Sequence, residues 1–170
     1  GIASQLTQNC ALTRVTAYVT AMGILLTIAG IIIVIYTFSS VVGLWLASQI
    51  MTARANGTGI PEPLAEAPAH HIDLMLDYAK GWRRHAWSVS IIALFTTLIA
   101  MTASSPLAFW SLGCAILIDT MLFVTYPNIK VFLAKTEFQE RLIDASQSVA
   151  LLAAFALLLW IHLRAVEALG

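Results

Sequence analysis

Four long stretches of the chain are nearly free of charge, and polar segments separate them. From Val15 to Ala53 no residue is charged. As one helix this run of 39 residues would extend about 58 Å, against a bilayer hydrocarbon core of about 30 Å. It therefore either projects into water at one end or bends. Ser39, Ser40 and Gly43 mark the place for a bend, because small residues and hydroxyls perturb the backbone ladder. The crossing itself is read as residues 17–48.

Ala86–Ala103 is a second uncharged stretch, rich in Ile, Leu, Thr and Ala. Ser104, Ser105 and Pro106 form a tight turn, with proline suited to opening the next helix. Leu107–Tyr126 is the third stretch, closed by Pro127 and carrying a single charge, Asp119. The second and third crossings so form an antiparallel hairpin. Ala145–Leu163 is the fourth.

The polar segments are 51–84 and 127–144. In the first, Gly57, Gly59, Pro61, Pro63 and Pro68 break helices and predict an extended loop. Ala69–Lys80 then regains helical period. Ile72, Met75, Leu76 and Ala79 share one face, and Asp73, Asp77 and Lys80 another, the pattern of a short helix lying in the membrane interface. The second polar segment predicts a helix that continues into the fourth crossing, with Glu137 and Arg141 as a supportive pair four residues apart.

These elements predict an all-α integral membrane protein. Residues 1–170 form a single membrane domain of four transmembrane helices in a bundle, crossing at 17–48, 86–103, 107–126 and 145–163, with a short interfacial amphipathic helix in the first loop. Composition strengthens this reading. The chain is 59% hydrophobic and 11% charged, whereas soluble domains hold about 45–50% apolar and about 25% charged residues. Lipid must cover part of the surface.

Four crossings put both termini on one side. The other side holds seven basic residues, Arg54, Lys80, Arg83, Arg84, Lys130, Lys135 and Arg141; the terminal side holds two, Arg14 and Arg164. The positive-inside rule places loops 51–84 and 127–144 in the cytoplasm, or its organellar equivalent, and the termini outside. Trp45, Trp82, Trp87 and Tyr126 mark the loop-side interface, and Tyr18, Trp110 and Trp160 the other. The sequon Asn56-Gly57-Thr58 falls on the cytoplasmic side, where it carries no glycan.

Charge balance excludes a nucleic-acid partner, since Lys plus Arg and Asp plus Glu are nine each and no basic tract interleaves with aromatics. Cys10 and Cys114 form neither a disulfide framework nor a C-x-x-C pair. No glycine-rich phosphate loop follows a strand, and no serine has a His–Asp partner at matching depth.

Asp119 is the foremost candidate for chemistry. Ser111, Ala115 and Asp119 lie four apart on one face, and an ionisable group at membrane depth is costly unless paired. Two readings follow: a carboxylate bonded to a partner helix, or a carboxylate in a proton or ion path. Thr96, Thr97, Ser39 and Ser40 are the neighbours expected for it. Two further rows of small residues, Ser39, Gly43 and Ala47, and Ser146, Ala150 and Ala154, predict close helix packing.

No metal set is assigned. The nearest to one is His70, Asp73 and Asp77, on one helical stripe that solvation alone also produces. For haem or quinone, His71 and His85 are the weak candidates. His85 and His162 stand at opposite ends of their crossings and cannot share one haem.

Together these readings predict no catalytic residue and no tightly held cofactor beyond lipid. The expected function is an accessory or structural subunit of a larger membrane complex, bioenergetic by prior frequency alone, with other membrane subunits as partners. The alternatives are a small oligomeric transporter or channel using Asp119, and a haem- or quinone-binding membrane anchor.

Overall fold

The computed structural model describes the backbone of residues 2–59 and 67–167 and the side chains of 16–59 and 67–167. Cys10, Pro61, Pro63 and Glu66 lie outside the described side chains. Among the described residues six helices follow in order: α1 (Ile2–Ala55), α2 (Ala69–Tyr78), α3 (Gly81–Thr102), α4 (Leu107–Val124), α5 (Ile129–Lys135) and α6 (Phe138–Glu167). No strand occurs among the described residues. Four helices among the described residues, α1 (over Thr16–Ala55), α3, α4 and α6, are long and apolar enough to cross a membrane.

Helix α1 runs unbroken through Ser39, Ser40 and Gly43. Four of its hydroxyls fold back onto the ladder. Thr20 donates to the Thr16 carbonyl at 2.9 Å, Thr27 to Gly23 at 2.8 Å, Thr37 to Ile33 at 2.6 Å and Ser48 to Leu44 at 2.9 Å. These four hydroxyls are satisfied within their own helix, as an apolar surrounding demands.

The four long helices close a ring. Helices α3 and α4 share the most extensive contact, α1 packs on α3 and α6, and α6 on α4. The central layer holds Ile33, Leu94, Leu112, Ala115, Leu151, Ala154 and Leu158, all buried. A second layer toward the loops joins Ala47, Ala79, Trp87, Ile91 and Leu122. A third seats Ile72 and Leu76 of α2 against Ile50. The outward faces carry Phe38, Ile92, Ile99, Leu117 and Val149, all exposed.

Glycines set two of the close approaches. A Cβ on Gly43 would lie 3.1 Å from the Trp87 ring, and one on Gly113 would lie 3.0 Å from the Phe155 ring. Trp87 is therefore a core residue of the α1–α3 contact and not a lipid-facing interface anchor, unlike the exposed Trp45 and Trp82. Tyr126 is buried as well.

The α3–α4 turn is tight. Ser104 takes a left-handed conformation with φ 51°. The Ser105 amide then reaches back to the Ala100 carbonyl at 2.9 Å and the Ser104 amide to Met101 at 3.1 Å. These bonds satisfy the orphan carbonyls of the helix end.

The second polar segment differs from the continuous helix expected. It breaks at Thr136, whose backbone is extended with ψ 128°. The Glu140 carboxylate accepts the Glu137 amide at 3.1 Å, half of a capping box that starts α6 afresh. Arg141 donates Nε to the Thr136 carbonyl at 3.1 Å. Its guanidinium thus serves the break and not the expected pair with Glu137. Beyond this start, Arg141–Val149 of α6 is exposed, and the helix meets the bundle only from Ala150 onward.

Candidate functional site

Asp119 stands on α4, five residues before its end at Val124. Both carboxylate oxygens are engaged. Tyr36 of α1 donates its hydroxyl to Oδ2 at 2.7 Å, and Ser90 of α3 donates to Oδ1 at 2.7 Å. One side chain therefore ties three helices at a single depth. Among the described residues no cation lies within ion-pairing distance of it. The hydroxyls are its polar partners.

The neighbours expected from sequence are placed elsewhere. Thr97 is fully buried and meets Ser111 at 2.8 Å, about two turns of α4 away from Asp119. Thr96 donates to its own helix at Ile92. Ser39 is exposed, and Ser40 is half-buried. Tyr36 and Ser90 were missed. The usable signal was the phenol of Tyr36, because a tyrosine hydroxyl within the apolar run Ile24–Phe38 requires a partner.

The three small-residue rows fare unequally. Ser111 and Ala115 are buried against α3. Ala47 is buried, Gly43 lies under Trp87, and Ser39 is open. Ala154 is buried, Ala150 is half-buried and Ser146 is open. The buried ends of the first and last rows pack apart, Ala47 beside Trp87 and Ala154 in the central layer, and the open ends, Ser39 and Ser146, border a shared space. Between them lies a cleft of about 210 Å³, bordered by Tyr36, Ser39, Ser146, Gln147 and Ala150. A larger groove of about 300 Å³ lies at the opposite end, bordered by Leu26, Met101, Phe109, Leu158 and His162. His162 lies against Phe109 there, ring centroids 4.7 Å apart.

On the loop side, Arg83 is buried and organises the ends of three helices. Its guanidinium binds the Asp77 carboxylate of α2 and the Thr125 carbonyl just past α4, and reaches Thr125 Oγ1 at 3.0 Å. Tyr78 packs edge-on against Trp87, centroids 5.8 Å apart. Burial pushes the Tyr78 phenol above the ordinary tyrosine range, and the negative charge of Asp119 acts in the same direction.

Asp77 is thereby committed to Arg83, and Asp73 is exposed. The stripe His70, Asp73 and Asp77 does not converge. His70 converges instead with His71 and with Glu140 of α6. One ligand atom from each lies within 4.8 Å of the others, and His70 Nε2 is 3.8 Å from Glu140 Oε2. His70 Nε2 and His71 Nδ1 are buried without a hydrogen-bond partner. Leaving such a nitrogen unsatisfied costs about 1–3 kcal/mol. Phe132 of α5 presents its ring to both imidazoles, at 5.6 and 5.3 Å. His71, a haem or quinone candidate by sequence, belongs to this cluster, and His85 is exposed on α3.

Comparison with protein families, curated proteins and solved structures found no match. The functional reading therefore rests on the geometry of this chain. Cys114 is exposed and unpaired.

Proposed function

We propose that the chain is an accessory subunit of a larger membrane assembly, held there by helix contacts and without catalysis of its own. The observation that carries this reading is the cleft between α1 and α6. A helix facing only lipid gains nothing from serine and glutamine at its surface. Such groups, with small residues beside them, are useful where another helix approaches closely and supplies hydrogen bonds. Ser39, Ser146, Gln147 and Ala150 border the cleft, and the α6 surface leading to it, Arg141–Val149, is exposed.

Asp119 fits the same reading. Its oxygens are occupied by Tyr36 and Ser90, so it serves as an internal tie between crossings. In this arrangement α2 lies in the interface with Ile72 and Leu76 inward and Asp73 outward. Loops 51–84 and 127–144 face the cytoplasm and the termini face outward, as the basic residues demand.

Gentle native purification followed by mass spectrometry of the intact assembly tests this. A second polypeptide that stays bound supports the reading, and a stable lone chain contradicts it.

One observation favours a second reading, a small oligomeric transporter. Tyr36 both borders the cleft and donates its hydroxyl to Asp119, so one residue links the cleft to the carboxylate. Asp119→Asn in a vesicle flux assay decides it. Loss of a wild-type flux supports transport; unchanged flux, or none in the wild type, removes it.

A further inference from the structure

We infer that His70, His71 and Glu140 form a binding site for a divalent cation of zinc's chemistry, joining α2 to the first turn of α6. The inference is independent of the subunit reading and rests on side-chain placement alone.

Neighbouring residues on a helix point about 100° apart, so consecutive histidines seldom meet one ion through the same ring atom. Here the two rings leave different atoms unpartnered. The nitrogens turned away from water without a partner are Nε2 of His70 and Nδ1 of His71, and the two rings lie with centroids 4.4 Å apart. Glu140 supplies an oxygen from a separate helix, 3.8 Å from His70 Nε2.

Zinc holds nitrogen and carboxylate oxygen at about 2.0–2.2 Å, so ligand atoms around one tetrahedral ion lie about 3.3–3.6 Å apart. The observed set lies within 4.8 Å. Binding an ion therefore requires the three side chains to close by about 1 Å, and the His70–Glu140 pair, at 3.8 Å, is already near that spacing. Two imidazoles and a carboxylate suit zinc, copper and similar ions, and not calcium or magnesium, which take oxygen ligands. Three protein ligands leave a fourth position for water.

The surroundings match those of a built site. Outer partners commonly fix the orientation of ligating side chains. Here the Glu137 amide donates to Glu140 Oε2 at 3.1 Å. Phe132 packs against both imidazoles, and His70 Nε2 and His71 Nδ1 are buried. A plain His70–Glu140 ion pair would explain one imidazole, but it leaves His71 Nδ1 without a role.

The test uses the full chain in detergent, purified without a histidine tag, stripped by chelator and titrated with cobalt(II). The expected result is a single cobalt per chain with the visible spectrum of a low-symmetry four-coordinate site, displaced by zinc. Affinity falls at least about tenfold in His71→Ala and in Glu140→Gln, and is unchanged in Asp73→Asn. Far-UV circular dichroism reports the fold of each variant. Should His71→Ala lose helix, Glu140→Gln, which preserves side-chain shape, decides. No cobalt spectrum in the wild type overturns the site, as does one that persists in folded Glu140→Gln or disappears in Asp73→Asn.

Discussion

The hydroxyl of Tyr36 donates to Oδ2 of Asp119 at 2.7 Å, joining helices α1 and α4 across 83 residues of sequence. Interhelical hydrogen bonds of this kind in membranes contribute about 0.6 kcal/mol on average and up to about 1.7. A double-mutant cycle of Tyr36→Phe and Asp119→Asn, read from unfolding in mixed micelles, should give a coupling within that range. Asp119→Ala should cost more, roughly 1–3 kcal/mol, because it strands the hydroxyls of both Tyr36 and Ser90. A coupling near zero would show that the contact does not hold the helices together.

Gly43 and Gly23 both lie in α1 but differ in surroundings. A Cβ at Gly43 meets the Trp87 ring at 3.1 Å, while one at Gly23 meets nothing within 4 Å. Replacing glycine by alanine inside a helix gains up to about 1 kcal/mol from backbone propensity. Gly23→Ala should therefore raise the thermal midpoint. Gly43→Ala should gain little or lose, and Gly43→Leu should lose about 1–3 kcal/mol through overpacking. Equal effects of the two alanine variants would contradict the close approach of α1 to Trp87.

Arg83 holds Asp77 and the Thr125 carbonyl together. Its side chain is only 10% exposed, while Asp77 is 29% exposed. Breaking a buried pair costs about 3–5 kcal/mol, and the partial exposure of Asp77 places Arg83→Ala nearer the lower figure. Arg83→Lys should recover only part of this, because an ammonium cannot bind two acceptors with the planar fork of a guanidinium. Chemical denaturation of the three proteins in one detergent orders them.

The raised Tyr78 phenol carries a pH dependence. Its folded value exceeds the ordinary tyrosine value of about 10, so its contribution is full below that pH and is lost as pH rises from there toward the folded value. Thermal midpoints of the wild type should fall between about pH 10 and 12, and Tyr78→Phe should fall less steeply. Parallel curves would show that the phenol is not shielded.

Much of the helical pattern was readable because long uncharged runs admit one reading at this scale. The crossings 17–48, 86–103, 107–126 and 145–163 lie within, or within two residues of, helices α1, α3, α4 and α6. What composition could not supply was rotation about each axis. Asp119 was recognisable as a costly group, but the choice of Tyr36 and Ser90 over Thr97 and Ser39 depends on how three helices turn toward one another. The period of α2 put Ile72 and Leu76 on one face and Asp73 on another, as found. The meeting of His70 and His71 with Glu140 lies beyond periodicity, because it joins residues 69 and 70 positions apart through the break at Thr136. That break itself was missed, since its cause is a local cap between Glu137 and Glu140 within a stretch otherwise favourable to helix.

The central claim is that the cleft between α1 and α6 receives another polypeptide, and a photo-crosslinking residue at Gln147 tests it in native membranes. Ile92, 63% exposed on the outer face of α3, provides the lipid-facing comparison. Crosslinks to a discrete second polypeptide from position 147 and none from position 92 are the expected result. Lipid adducts alone from both positions would contradict the account.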